Sequence, residues 1–194
     1  LGILAAIKQN TLFDHASMVV SLIGISMPAF WLALMLMLLF SVNLGWFPVQ
    51  GANDGWRSYV LPAIAIGFMN MAAIARTTRS SMLDTIRQDY IRTARAKGVS
   101  EREIVFHHSF RNALIPTVTV IGVQLGGLIG GAVLTETVFA WPGLGRYIVQ
   151  SVNGRDTPAV MGCIIVLAVG FSLVNLFVDL LYGFIDPRVR SMYR

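Results

Sequence analysis

His107, His108, Cys163 and Asp179 are the side chains of this sequence best equipped for chemistry, and the spacing argues against each. Adjacent histidines project to different sides of a helix, so His107 and His108 do not make a metal-binding pair. Cys163 is the sole cysteine and lies in an apolar run, where it is expected to be a small buried residue. Asp179 stands near the end of the last apolar stretch, four residues before Gly183. An ion pair with Arg188, or a cap, is expected of it rather than proton relay. The sequence contains no HExxH, no GxSxG, no paired carboxylates and no GxxxxGK[ST] phosphate loop. The expectation is a chain that is no enzyme, holds no metal or cofactor of its own, and does not bind ATP by that device.

Composition points to lipid. The sequence is 55% hydrophobic and 13% charged, with a mean hydropathy of +0.66. Soluble domains carry about 25% charged residues, so the chain reads as an all-α, polytopic membrane bundle. Its pI near 9.9 calls for no nucleic acid, because basic excess in a membrane chain marks the loops of one side. Four apolar stretches are long enough to matter, roughly residues 16–42, 60–80, 113–134 and 158–182. A hydrocarbon core of about 30 Å needs about 20 helical residues. The second stretch has sixteen residues from Val60 before Arg76, so its end must emerge early or run into buried protein. Pro28, Pro62 and Pro116 fall inside these stretches, where neighbouring helices can satisfy the freed carbonyls.

Basic residues set the direction. Segments 1–15, 76–111 and 186–194 hold twelve of the fifteen Lys and Arg residues, while loops 43–59 and 135–157 hold only Arg57, Arg146 and Arg155. Alternation of four spans puts the twelve on one side, expected to be cytoplasmic together with the C-terminus. In the third stretch Gly126 and Gly130, and Gly127 and Gly131, are four apart, a spacing that lets another helix come close. Packing within the chain and packing against a second subunit are equal readings of that repeat.

Between the second and third stretches the sequence stays helical but leaves lipid. Met82, Ile86, Tyr90 and Ala94 recur every four residues, with Leu83 and Ile91 beside them, giving one apolar face to a single expected helix. Gly98 is expected to end it, after Arg95 and Lys97, whose charge suits a helix C-terminus. Ser100 and Glu103 have capping-box spacing and open a second helix. The whole, about residues 81–112, is a tight elbow with an apolar face that a solvated loop does not need. On the other side "AWPGLGR", residues 140–146, is expected to make a tight turn. Pro142 sets one φ, Gly143 and Gly145 permit turns that other residues resist, and Trp141 anchors at headgroup level or faces the pathway mouth.

"YIRTARAKGVSEREIVFHHSFRNALIPTVTVIG" at 90–122 resembles the cytoplasmic loop of the membrane subunits of binding-protein-dependent ABC importers, in the dipeptide, oligopeptide and nickel permease branch. "LTETVFAWPGLGRYI" at 134–148 and "LVNLFVDLLYGFIDPRVR" at 173–190 fit that branch. So do "SMPAFWLALMLMLLF" at 26–40 and "ARTTRSSMLDTIRQDYIRTARAKG" at 75–98. The family's Glu-Ala-Ala triplet falls on Arg92, Thr93 and Ala94 and its glycine on Gly98, so only Ala94 and Gly98 match. Its Leu-Pro falls on Phe110 and Arg111, with Pro116 five positions later.

The resemblance implies a type I importer transmembrane domain of about six spans, the first ones lying before Leu1. It implies a multi-pass protein of a prokaryotic cytoplasmic (inner) membrane, in contact with lipid. It implies a second homologous permease subunit, two ATPase subunits carrying ATP and Mg, and an extracytoplasmic substrate-binding protein. The elbow, through Ile86, Tyr90, Thr93, Ala94, Arg95, Gly98, Ser100 and Glu103, would meet the ATPases. Peptides are the expected substrate, with nickel chelates, glutathione or another small solute as alternatives. An ion-coupled secondary transporter is the reading from a different class, and it needs ionisable groups at membrane depth that this sequence scarcely has.

Overall fold

A computed structural model describes residues 1–185, the side chains of 129–131 and 181–185 left aside. Among the described residues the chain is helical without a strand: α1 (Gly2–Ile7), α2 (Leu12–Ser26), α3 (Ala29–Leu36), α4 (Arg57–Ile86), α5 (Asp89–Ala96), α6 (Glu101–Glu103), α7 (Phe110–Val138), α8 (Leu144–Asn153) and α9 (Thr157–Ile185). Among the described residues two helices, α4 and α9, are long and apolar enough to cross a membrane alone. Counting two broken pairs as single spans brings the number to four.

The first apolar stretch is one of those broken pairs. It is not continuous over 16–42: α2 stops at Ser26, and Pro28 stands in an extended conformation (φ −61°, ψ 133°) ahead of α3. Proline lacks the N–H that would continue the ladder and disfavours helix in the residue before it, here Met27. After Leu36 the helix widens into a π-helical turn over Met37–Asn43. Pro62 and Pro116 instead stay inside α4 and α7. The second stretch extends well past its expected ends, since α4 runs from Arg57 to Ile86.

The chain divides into two compact units. One comprises Leu1–Ile25, Met71–Val123 and, among the described residues, Phe177–Ile185. Its core is Ala6, Met82, Leu83 and Ala113, with Ile3, Ile86, Val105 and Phe110 packed around them. α1 crosses α4 so closely that a Cβ on Gly2 would lie 2.5 Å from the Ala75 carbonyl oxygen. The tie between α2 and α4 is ionic. Arg79 Nε and Nη2 donate to the two carboxylate oxygens of Asp14 at 2.5 and 2.7 Å, and Asp14 is 1% exposed. Gly122 accepts Val178 of α9 against its bare backbone.

The other unit comprises Ser26–Asn70 and Gln124–Leu176. Ala33, Leu61, Ala65 and Phe139 form its core. Gln124 Nε2 donates to Asn70 Oδ1 at 2.8 Å, an amide pair joining two otherwise apolar helices. Gly126 packs on Phe171 and Asn175 of α9, whereas nothing approaches Gly127 within 4 Å. The glycine repeat is therefore used within the chain on the Gly126 side. Gly130 and Gly131 lie outside the residues whose surroundings are described. Cys163 is buried, as its setting indicated. Asp179 is exposed on α9, and its expected partner Arg188 lies outside the described residues.

Candidate functional site

The elbow is built by three backbone devices and two side-chain clamps. The expected single helix through Met82 and Ala94 is interrupted at Arg87–Gln88, where Gln88 is extended (φ −70°, ψ 150°) and α5 begins afresh at Asp89. The four-residue stripe Met82–Ile86–Tyr90–Ala94 is thus split between two helices. After the break Ile91 is the fully buried member of α5, while Tyr90 is 44% exposed. Ile86 packs against the Met82 core from the α4 side.

At the far end of α5 the sequence reading holds. Gly98 has φ +81°. Its N–H donates to the Arg95 carbonyl at 3.0 Å, and the Val99 N–H donates to the Ala94 carbonyl at 3.2 Å. These two bonds are a Schellman closure, which needs a left-handed residue at this position. No atom lies within 4 Å of where a Gly98 Cβ would stand, so conformation and not space calls for glycine. Ser100 then caps α6, its Oγ accepting from the Glu103 N–H at 3.3 Å. No return bond from the Glu103 side chain is made among the described residues, so the cap is half of the expected box.

The clamps were not legible in the sequence. Arg95 grips Glu101 with both arms, Nε to Oε1 at 2.6 Å and Nη2 to Oε2 at 3.1 Å, pinning α5 to α6 across the glycine. The guanidinium holds the Glu101 carboxyl below the usual carboxylate range. Asn112 Nδ2 donates to Tyr90 Oη at 2.7 Å and to the His108 carbonyl at 3.0 Å, so α5 is tied to the start of α7. Thr93 caps its own turn by donating to the Asp89 carbonyl at 3.1 Å. Between α6 and α7 the backbone makes a π-helical turn over Ile104–Ser109, which leaves Phe106 56% exposed. Phe106 and His107 line a shallow cavity of about 390 Å³ with Ser100, Arg102 and Glu103. The apolar groups presented outward are therefore Tyr90 and Phe106, not an Ile86–Ala94 stripe.

The turn after α7 obeys a different rule. The residue with positive φ is Ala140 (φ 49°), while Gly143 is extended (φ −126°, ψ 172°) and Gly145 is helical. Sequence reasoning gave these glycines a conformational role, and the structure gives them a spatial one. A Cβ on Gly143 would overlap the Glu136 carboxyl, and one on Gly145 would lie 2.5 Å from Val133 Cα. Glu136 Oε2 accepts the Arg146 N–H at 3.1 Å, so a carboxylate from α7 caps the N-terminus of α8. The Arg146 guanidinium donates back to the Ala140 carbonyl. Trp141 packs edge-on against Tyr59 with ring centroids 4.6 Å apart, and Gly51 N–H donates to the Phe139 carbonyl at 2.8 Å. The two charge-poor loops, 43–59 and 135–157, therefore meet. Pro142 is exposed.

Comparison with known proteins bears on the whole chain. The family described as "Binding-protein-dependent transport system inner membrane component" matches residues 1–191. The dipeptide transport system permease protein of Alkalihalophilus pseudofirmus is 47% identical, covering 97% of this chain and 65% of its own length. The di/tripeptide transport system permease protein of Pseudomonas aeruginosa is also 47% identical, with 97% and 64% covered. The glutathione transport system permease protein of Escherichia coli K12 is 49% identical, with 97% and 61% covered. The chain thus spans somewhat less than two thirds of the length of these relatives. Matched from residue 1 to residue 191 of its 194, it belongs to the inner-membrane component family of binding-protein-dependent transport systems.

Proposed function

We propose that the chain is part of the permease subunit of an ATP-driven importer of short peptides. The observation that carries this is the identity of 47–49% over 97–98% of the chain with permeases named for dipeptides, di- and tripeptides and glutathione. Glutathione is itself a small peptide, so one substrate class covers all three names. A homologous second permease would complete the pathway, and a substrate-binding protein would deliver at the face where loops 43–59 and 135–157 meet. Two ATPase subunits would dock on the elbow, at Tyr90 and Phe106.

The elbow has the mechanics for that task. Gly98 and the Arg95–Glu101 pair make α5 and α6 one stiff corner. Tyr90 and Asn112 fasten the corner to α7, and the break at Gln88 joins it directly to α4. Closure of the ATPases would move the corner, and α4 and α7 would carry the movement to the substrate pathway.

Uptake by the full-length protein reconstituted with its partner subunits tests the reading. ATP inside the vesicle-equivalent compartment should drive accumulation of a labelled dipeptide in the presence of the binding protein, and collapsing the proton gradient should leave the rate unchanged. Uptake that follows the proton gradient without ATP would favour the ion-coupled alternative. ATP-driven uptake of a nickel chelate with no dipeptide competition would keep the machine and replace the substrate.

A further inference from the structure

α4 carries no charged side chain between Arg57 and Arg76, which are nineteen residues apart. That length is about 28 Å of helix, close to the thickness of a bilayer's hydrocarbon core. With α4 crossing the membrane between these two arginines, Arg76 comes to the depth of lipid phosphates. It does so in a cavity of about 560 Å³ between α2 and α4, whose lining includes Arg76, Arg79, Ser80 and Ser81 on one side and Met18 and Leu22 on the other. Arg79, which also lines the cavity, donates Nε and Nη2 to the buried Asp14, so that bridge leaves Nη1 unused. Asp14 also accepts the Asn10 N–H at 3.0 Å, so its charge is enclosed and matched. Arg76 pairs with no carboxylate among the described residues. Nor do the Ser80 and Ser81 hydroxyls donate to any group among them.

We propose that this cavity is a binding site for the phosphate headgroup of one anionic phospholipid. The two guanidiniums supply charge-assisted hydrogen bonds and the serine hydroxyls supply neutral ones. Met18 and Leu22, the latter 52% exposed, give an apolar wall for the acyl chains. A free phosphate would leave that wall uncovered, and this favours lipid as the source of the anion. Basic pockets between membrane helices are suited to such headgroups. The Arg79–Asp14 bridge sets the second guanidinium in place, so the site is assembled by the same contact that joins α2 to α4. The proposal needs only that the chain lies in a membrane, which its family provides, and is independent of the transported solute.

The test is lipid retention by the full-length protein in the assembly in which it purifies. After delipidation in mild detergent, phosphatidylglycerol or phosphatidylcholine is titrated in and bound lipid is counted by native mass spectrometry. The parent should prefer phosphatidylglycerol, and Arg76→Gln should lower its retention at least about tenfold, the scale of a lost charge-assisted hydrogen bond. Ser80→Ala, which cannot disturb folding by charge, should lower it severalfold. Arg57→Gln, the same charge loss at the other end of α4, should retain the parent's preference. Equal losses in Arg57→Gln and Arg76→Gln would reduce the effect to general surface charge and overturn the site. So would a parent without preference, or a Ser80→Ala protein that binds like the parent. Displacement of phosphatidylglycerol by millimolar inorganic phosphate would overturn lipid as the occupant.

Discussion

The elbow and the turn between α7 and α8 both depend on glycine, for opposite reasons. Gly98 sits in open space with φ +81°, so any side chain would fit and few backbones would. Gly143 and Gly145 have ordinary backbones and no room. The difference teaches what each region resists. The elbow is specified by a local conformation, and its shape survives as long as one residue can be left-handed. The turn is specified by the approach of two helices, and its shape survives only while nothing larger than hydrogen lies between them.

Substitutions separate the two. Gly145→Val should be the most damaging change, because Val133 meets it through a backbone atom that cannot step aside. Overpacking of this kind costs about 3 kcal/mol, read as a large fall in the thermal midpoint of the full-length protein in detergent. A midpoint within a degree or two of the parent would mean α8 does not pack on α7 in this way. Glu136→Ala removes the cap of α8 and should cost about 1 kcal/mol, the usual size for an N-terminal cap. The Arg146 amide, which donates to that carboxylate, should then exchange hydrogen faster, while those of the elbow should be unchanged.

Gly98→Ala should cost about 1 kcal/mol through left-handed strain alone, and Gly98→Asn less, since asparagine tolerates that region. If alanine and asparagine prove equal, the Schellman closure is not what holds the elbow. The smallest effect belongs to the Arg95–Glu101 pair. Its carboxylate is depressed by the guanidinium, so the pair's contribution is complete at neutral pH and is lost as pH falls through the lowered value. Because Glu101 is 66% exposed the effect is small. Hydrogen exchange across 98–103, corrected for intrinsic rates, should rise on acidification in the parent and not in Glu101→Gln.

How far the sequence reached follows the same division. Gly98 and Ser100 were legible because a helix end writes its signal within a few residues. The apolar, helical character of the spans was legible because lipid demands it of every residue in a stretch. The break at Gln88 was not, because the four-residue spacing of Met82, Ile86, Tyr90 and Ala94 runs straight through it. Glu136 capping α8 and Asp14 joining Arg79 were invisible because the partners stand ten and sixty-five residues away. Pro28, Pro62 and Pro116 look alike in the sequence, and nothing local says that the first ends a helix while the others do not. Neighbouring packing makes that choice. Phe106 was missed because an unbroken α-helix would place it differently from the π-helical turn that carries it.

The central claim is that the elbow's geometry, held by Gly98, couples an ATPase to α4 and α7. Its most direct test is ATP-driven peptide uptake by Gly98→Val and Gly98→Asn proteins matched to the parent for membrane level. A β-branched residue resists positive φ, whereas asparagine accepts it. The asparagine protein should keep most of the parent's uptake, and the valine protein should hydrolyse ATP with little uptake. Normal ATP-driven uptake by the Gly98→Val protein would contradict the claim.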